Sequence, residues 1–212
     1  SSYVQMLQKK LTDAHYVQLL TNIEAPTERV TRIIKNLLNF ARNPADESFQ
    51  RVDLKDSLEE IISLIDYRLK SLNIQLELKL NSVVIYAQRE RLQQVFINII
   101  LNALDAMPGG GRLIIETNQK DDLALVKITD TGTGIKPEHL SRIFDPFFTT
   151  KGLGKGTGLG LSISFAIVKE HEGQILVDSA VGKGTTFTIL LPTNLADKRR
   201  QKFLPRGKHH ES

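Results

Sequence analysis

Apolar and polar residues follow two different periods along this chain, and the two periods predict different elements. Residues 74–80, IQLELKL, alternate between apolar and polar side chains, which is the pattern of a strand with one buried face. Residues 89–107 instead place apolar side chains three and four positions apart, which predicts an amphipathic helix. The same reasoning predicts further helices over 53–72 and 160–170, and further strands over 83–86, 113–117, 123–129, 175–178 and 185–191.

These elements predict the fold class. Strands that follow one another through short turns pair with each other, and the intervening helices cover the sheet that they form. We therefore expect an α/β fold, a two-layer α/β sandwich with a mixed sheet, over residues 51–192. The polar, turn-forming stretch NPADES at 43–48 predicts a boundary ahead of it. Residues 45–50 are then a linker and residues 193–212 a tail.

We expect a helical segment over residues 1–44 ahead of this domain, and Pro26 predicts a kink within it. Its apolar residues repeat at helical spacing at Val30, Ile34, Leu37 and Ala41. A lone helical pair buries such a stripe poorly. We therefore expect a homodimer through these N-terminal helices.

The formal net charge of +4 belongs to the C-terminal tail, because residues 1–196 are neutral overall. A basic tail is ordinarily a solvated end, and we expect no nucleic-acid partner. The absence of cysteine excludes disulfides and thiolate metal sites. The sequence has neither an apolar run of about 18 residues nor a signal peptide. We expect a cytoplasmic location for this part of the protein, with any membrane anchor lying upstream.

The predicted helix over residues 89–107 carries a stripe of polar side chains. Asn98, Asn102 and Asp105 fall at positions i, i+4 and i+7, away from the centre of the apolar stripe. A solvated helix face would explain them. Short amides, however, are poor helix-interior residues and good oxygen ligands for a hard cation such as Mg²⁺. A metal-binding stripe is therefore the second interpretation.

An acidic residue and two glycines follow the predicted strand at 123–129. The carboxylate of Asp130 emerges at the strand end, where it can accept a hydrogen bond from the exocyclic amine of adenine. Gly132 and Gly134 let the backbone approach a ring closely. A tight turn after a strand is the alternative interpretation.

Alternating glycines run from Gly152 to Gly160 into the predicted helix at 160–170. Such a loop exposes backbone N–H groups, and these favour phosphate together with the free N–H groups of a helix N-terminus. A flexible linker is the alternative. Neither a P-loop nor a Gly-x-Gly-x-x-Gly sequence is present, so the residues together predict an ATP site of another fold. Phenylalanines between the glycine segments fit either a core or a hinge: Phe144, Phe147 and Phe148.

Four segments resemble the sequence boxes of the catalytic ATP-binding domain of sensor histidine kinases, in the wider superfamily of DNA gyrase, Hsp90 and the mismatch-repair ATPases. Residues 98–107 resemble the N box, 130–135 the first glycine box, 144–148 the F box and 156–160 the second glycine box. The boxes occur in the family's order and span most of residues 51–192. The resemblance implies the histidine kinase ATPase fold, with ATP and Mg²⁺ bound.

The resemblance also implies roles for residues of this chain. Asp130 would bind the adenine amine, Asn102 would ligate Mg²⁺, and Asn98 would lie near the phosphates as the catalytic residue. Residues 156–160 would wrap the triphosphate, and Thr185 resembles part of a late element on the adenine side. The residues expected to bind the nucleotide are Asn98, Asn102, Asp105, Asp130, Gly132, Gly134, Ile135, Phe144, Lys151, Gly156, Thr157, Gly158, Leu159, Gly160 and Thr185.

Residues 1–44 resemble part of the family's dimerisation and histidine-phosphotransfer hairpin. The family's acceptor motif, a His with an acidic neighbour followed soon by Asn-Pro-Leu, does not occur in this sequence. His15 lacks the acidic neighbour and is not expected to be the acceptor. The resemblance thus implies phosphoryl transfer to a histidine supplied elsewhere, without autophosphorylation of this fragment, for relay to the receiver domain of a response regulator.

Position 98 separates two activities within the superfamily. The hydrolytic relatives carry a glutamate there as the base for water, whereas the amide of Asn98 cannot accept the proton. Transfer to an imidazole needs mainly positioning and charge neutralisation, so the residue favours a transferase. Two other interpretations stay open. One is a non-catalytic module that only senses nucleotide, and the other is a serine-directed kinase of the anti-sigma type, against which the paired helices argue.

Overall fold

The computed structural model describes residues 48–151 and 156–195, and the predicted N-terminal helices, the kink at Pro26 and the basic tail lie outside these residues. The helices are α1 (Leu54–Ser71), α2 (Arg89–Asp105), α3 (Pro137–Leu140) and α4 (Gly160–Glu170). The strands are β1 (Gln50–Asp53), β2 (Ile74–Leu80), β3 (Val84–Ala87), β4 (Gly111–Lys120), β5 (Leu123–Asp130), β6 (Gln174–Ala180) and β7 (Gly184–Pro192). None of the helices in the described residues combines the length and the apolar character that crossing a bilayer requires.

Five strands form one mixed sheet in the order β2-β4-β5-β7-β6. Strand β2 runs parallel to β4, and the other neighbours are antiparallel. A parallel pair needs a long crossover connection, and β3 followed by α2 provides it here. Strands β1 and β3 form a separate antiparallel pair.

One face of the sheet is buried beneath the helices. Alternate residues of β4, β5 and β7 are buried and stand in register, so that Ile115 pairs with Ile128 and Ile128 with Phe187. Helices α1 and α2 contact each other, and they contact β2 and β5 respectively. The predicted two-layer α/β sandwich with a mixed sheet is confirmed.

Both long helices bury the stripe that their sequences predict. Helix α1 begins after its N-cap Asp53, whose Oδ1 accepts a hydrogen bond from Lys55 N at 2.8 Å and satisfies one free N–H of the first turn. Its apolar residues pack toward the sheet, and so do those of α2. The buried residues of α2 are Leu92, Val95, Phe96, Ile99, Ile100, Ala103 and Leu104. Asn98 and Asn102 are half-buried at the edge of this stripe.

Two short elements were not predicted. Strand β1 begins at Gln50, within the stretch interpreted as a linker, and ends at Asp53, where the first helix of the domain was expected to start. A strand of 4 residues is too short for a two-residue period to be recognised, and its pairing with β3 is what defines it. Helix α3 contains no buried residue, so it has no apolar stripe to detect.

Candidate functional site

Asp130 ends β5, and its side chain is buried at 4% exposure. It stands in register between Leu113 of β4 and Thr185 of β7. Its Oδ1 accepts hydrogen bonds from Gly132 N at 2.8 Å and from Thr185 N at 3.3 Å. Among the residues that the structure describes, no donor contacts Oδ2. The carboxylate is therefore held through one oxygen and keeps a second acceptor for a ligand.

The environment of Asp130 changes its acidity. Burial raises the pKa of its carboxyl above the ordinary value, and the hydrogen bonds from the N–H groups of Gly132 and Thr185 lower that pKa in part. A partly desolvated carboxylate gains more from a new donor than an exposed one does, because its interactions are less screened. A buried acid with a perturbed pKa marks a candidate functional site, and an amine is the donor that suits its open oxygen.

Gly132 and Gly134 allow the loop after β5 to pack closely on neighbouring backbone. A Cβ on Gly132 would lie 2.6 Å from Ala106 O, and a Cβ on Gly134 would lie 2.1 Å from Ala180 O. Thr133 N also donates to Ala106 O at 3.0 Å. The loop is thereby fixed between the end of α2 and the end of β6, beside the buried carboxylate.

The end of α2 brings the asparagine stripe to the same loop. Asn102 O accepts a hydrogen bond from Ala106 N at 3.1 Å, so the asparagine lies in the turn that contacts the loop. One turn earlier, Asn98 Nδ2 donates to Ser164 Oγ of α4 at 3.3 Å. The predicted adenine-binding carboxylate and the predicted metal-binding stripe therefore belong to one part of the fold.

Asp105 lies at the exposed end of α2. Its Oδ1 is 3.7 Å from the guanidinium of Arg68 on α1, and both side chains are substantially exposed. An exposed ion pair contributes at most about 1 kcal/mol. The ion pair gives Asp105 a role within the fold, and its contribution to nucleotide binding stays a prediction.

Ser179 of β6 belongs to the site but to none of the motifs singled out in the sequence. Its Oγ accepts a hydrogen bond from Ile135 N at 2.9 Å, donates to Gly184 O at 3.0 Å and lies 3.0 Å from Thr185 Oγ1. Ser179 thus links the loop after β5 to the first residues of β7, one of whose N–H groups holds the carboxylate. One signal in the sequence could have identified Ser179. It falls on the same alternating positions as the inward-facing residues of β6, and a hydroxyl on that face needs a hydrogen-bond partner.

Gly184 should not tolerate a side chain at the start of β7. Its φ is +104°, and a Cβ there would lie 1.9 Å from Asp130 O. We expect Gly184→Ala to lower the free energy of unfolding by about 3 kcal/mol or more, because left-handed backbone strain and overpacking act together. Urea unfolding followed by circular dichroism measures this loss.

Gly182 provides the matched control for that substitution. Its φ is +75°, and nothing lies within 4 Å of a Cβ built there. Gly182→Ala should cost only the backbone strain, about 1 kcal/mol. Equal losses in the two variants would contradict the close approach of β7 to the backbone of Asp130.

The second glycine segment lies in a separate unit, to which residues 142–162 belong. Within this unit Gly158 has a φ of +68°, and a Cβ there would lie 2.3 Å from Phe147 C. Phe147 itself has a φ of +67° and is 67% exposed. The backbone of Gly158 therefore packs directly on the phenylalanine segment. A flexible linker would make no such contact, so the described residues 156–160 fit a loop that packs on its neighbours better than they fit a linker.

Two hydrogen bonds between residues close in sequence lie in this unit. Thr149 Oγ1 accepts from Lys151 N at 3.2 Å, and Thr157 Oγ1 accepts from Leu159 N at 3.4 Å. The residues predicted to bind nucleotide in this unit are Phe144, Lys151, Gly156, Thr157, Gly158, Leu159 and Gly160. Helix α4 begins at the last of them. Their roles toward a phosphate stay predictions.

The chemical groups of the site fit a magnesium nucleotide. The open Oδ2 of Asp130 is an acceptor for a base amine, and Asn98 and Asn102 carry amide oxygens. The described residues contain no cluster of three or more His, Asp or Glu side chains that could hold a metal by themselves. Mg²⁺ would therefore be held here by an amide oxygen together with the phosphates that it accompanies, as is common for this ion.

Residues 87–195, which include the buried carboxylate and the asparagine stripe, match the family described as histidine kinase-, DNA gyrase B- and HSP90-like ATPase. The chain belongs to this family. Sporulation kinase E of Bacillus subtilis is 35% identical over 202 aligned residues, covering 93% of this chain and 27% of that protein. The chain thus spans about a quarter of the length of this relative.

Solved structures of histidine kinases resemble this member of the ATPase family. The catalytic domain of histidine kinase ThkA superimposes with a TM-score of 0.63 at 31% identity, covering 69% of this chain and 98% of that chain. ThkA in complex with response regulator protein TrrA gives a TM-score of 0.69 at 25% identity, covering 92% of this chain and 57% of that chain. The resemblance to the histidine kinase branch of the family is confirmed.

Proposed function

We propose that this chain is the ATP-binding catalytic part of a sensor histidine kinase, which transfers the γ-phosphoryl group of ATP to a histidine for relay to a response regulator. The observation that carries the proposal is the carboxylate of Asp130, which is buried, held through Oδ1 by two backbone N–H groups and open at Oδ2. The half-buried Asn98 and Asn102 lie in the same part of the fold. A hydrogen-bond acceptor for the nucleobase, together with amide oxygens that suit a metal ion, supports the binding of a purine nucleotide with its metal ion.

Asp130 recognises the adenine base in this proposal. Its Oδ2 accepts a hydrogen bond from the exocyclic amine of adenine. Guanine presents a carbonyl oxygen at the corresponding position, and two acceptors facing each other repel. The carboxylate therefore selects ATP over GTP.

The asparagines act on the phosphate side. Asn102 is the proposed ligand of Mg²⁺, which when bound would neutralise charge on the phosphates and orient them. Asn98 carries an amide that cannot act as a base for water, so hydrolysis gains no assistance and the phosphoryl group is left for an incoming imidazole. Residues 156–160 wrap the triphosphate in this proposal.

The proposal includes two partners. The relative ThkA was solved in complex with the response regulator TrrA, which supports a receiver domain as the final acceptor of the phosphoryl group. We also propose a homodimer through residues 1–44, on the apolar stripe of that sequence, joined by residues 45–50 to a catalytic domain over 51–192. The chain would act in the cytoplasm.

Supplied with radiolabelled Mg-ATP and a separate histidine-phosphotransfer hairpin of a sensor kinase, the chain should label the hairpin and not itself. The reason is that the sequence has the residues for nucleotide binding but lacks the His-acidic and Asn-Pro-Leu acceptor motif. The label should be stable in base and labile in acid, as a phosphohistidine is. Autoradiography after each treatment measures it.

The control is a hairpin whose acceptor histidine is replaced by glutamine, and it should stay unlabelled. Base-stable label on the chain itself that disappears in His15→Ala would show that the acceptor was assigned wrongly. Tight binding of Mg-ATP without labelling of any hairpin would instead support the nucleotide-sensing module.

A further inference from the structure

Ser164 is a fully buried hydroxyl on a largely apolar face of α4. Its exposure is 0%, and the other buried residues of this helix are Ile163, Ile167 and Val168. Removing a hydroxyl from water is unfavourable unless the hydroxyl is hydrogen-bonded. A hydrogen bond to Ser164 therefore stabilises its burial.

The amide of Asn98 is such a hydrogen-bond partner. Nδ2 of Asn98 donates to Ser164 Oγ at 3.3 Å and joins α2 to α4 across 66 positions of sequence. The terminal torsion of an asparagine is broad and roughly two-fold, so an unanchored amide exchanges its oxygen and nitrogen between two directions. The hydrogen bond to Ser164 holds the amide in one of these orientations, and in the structure the nitrogen is the atom directed at α4.

We propose that Ser164 is a positioning residue for Asn98 and holds Nδ2 toward α4, so that Oδ1 is the atom presented to the bound nucleotide. This inference rests on the proposed function and refines it. An amide oxygen suits Mg²⁺ or its bound water, whereas the NH₂ group would suit a phosphate oxygen. With Ser164 in place the site prefers the magnesium complex of a nucleotide to the free nucleotide.

Calorimetric titration with AMPPNP, in Mg²⁺ and in EDTA, tests this role in four proteins: wild type, Ser164→Ala, Asn98→Ala and the double variant. We expect Ser164→Ala to weaken Mg-AMPPNP binding about three- to tenfold, the range for one lost hydrogen bond. Binding in EDTA should change by less. In the Asn98→Ala background Ser164→Ala should have no further effect, because the serine acts through Asn98.

Ser57 provides the matched control. It is also 0% exposed, and its Oγ has no hydrogen-bond partner within the described part of the chain. Ser57→Ala should leave the affinity for Mg-AMPPNP unchanged. An equal loss of affinity on Ser164→Ala in both backgrounds, or no loss in either, would overturn the positioning role.

A measurement without nucleotide separates this inference from the proposed function. The side-chain NH₂ resonances of Asn98 should shift and exchange faster with water in Ser164→Ala, and they should be unchanged in Ser57→Ala. Unchanged resonances in Ser164→Ala, with nucleotide binding intact, would overturn the positioning role alone. Failure of the wild-type protein to bind Mg-AMPPNP would overturn the proposed function, and with it any role of Ser164 toward a nucleotide.

Discussion

Asp130→Asn should weaken ATP binding at least about tenfold and at the same time make the ligand-free protein harder to unfold. The asparagine oxygen can still accept the N–H groups of Gly132 and Thr185, which now bond to Oδ1. Its NH₂ group then replaces Oδ2 and would oppose the amine of an adenine bound as we propose, donor against donor. A charge-assisted hydrogen bond contributes on the order of 1.5–3 kcal/mol, which corresponds to about tenfold or more in affinity. Calorimetry with Mg-ATP measures the loss.

The gain in stability follows from the pKa of Asp130. Burial raises that pKa above the ordinary value of 3.8, so the folded state binds the proton more tightly than the unfolded state does. The stability from this proton is present at low pH and is lost as the pH rises through the folded-state pKa. Asparagine does not titrate, so the advantage of Asp130→Asn over wild type should grow across this window and level off above it. Urea unfolding at a series of pH values measures it.

Asp178→Asn is the control, because it removes an equal charge from an exposed position of β6. It should leave the ATP affinity unchanged. Unchanged ATP affinity in a folded Asp130→Asn protein would mean that the base is bound elsewhere. A stability advantage that shrinks as the pH rises would contradict the raised pKa.

Much of the fold could be predicted because local sequence pattern and burial coincide in its longer elements. The alternation over Ile74–Leu80 matches β2, and the helix expected at residues 160–170 matches α4. Strand β1 shows the limit of this reasoning. Its residues become a strand through pairing with β3, from Gln50 opposite Ala87 to Asp53 opposite Val84. The few residues around β1 in the sequence do not identify that partner strand.

The candidate site could be predicted as a set of chemical groups, and its geometry could not. The type of residue at a strand end was enough to single out Asp130. The contact from Thr185 that fixes its carboxylate spans 55 positions of sequence, and the contact between Asn98 and Ser164 spans 66. The local spacing of apolar residues contains no information about contacts between residues so far apart in sequence. Two glycines that look alike in the sequence likewise differ in space, since a Cβ meets backbone at Gly184 and open space at Gly182.

Asn98→Glu should raise ATP hydrolysis above the wild-type rate and lower phosphotransfer to a histidine hairpin. Asn98 and Asn102 lie one helical turn apart, so a carboxylate at position 98 would face the nucleotide that Asn102 is proposed to help hold. It can accept a proton from water, which the amide cannot, and such assistance contributes about 10²–10⁴-fold. Ser164 Oγ, 3.3 Å from the present amide, can donate to the new carboxylate and make it less basic. We therefore expect the lower end of that range, measured as phosphate released at saturating Mg-ATP.

Asn98→Gln separates the effect of the general base from the effect of a longer side chain, because glutamine is as long as glutamate and has no carboxylate. It should hydrolyse ATP at the wild-type rate. Adding Ser164→Ala to Asn98→Glu should raise hydrolysis further, since the carboxylate then loses the hydrogen bond that lowers its basicity. Repulsion between the carboxylate and the triphosphate weakens binding, so Mg-ATP affinity is measured beside every rate. If Asn98→Glu binds Mg-ATP, hydrolyses it no faster and still transfers to the hairpin as wild type does, Asn98 does not lie at the reacting phosphate.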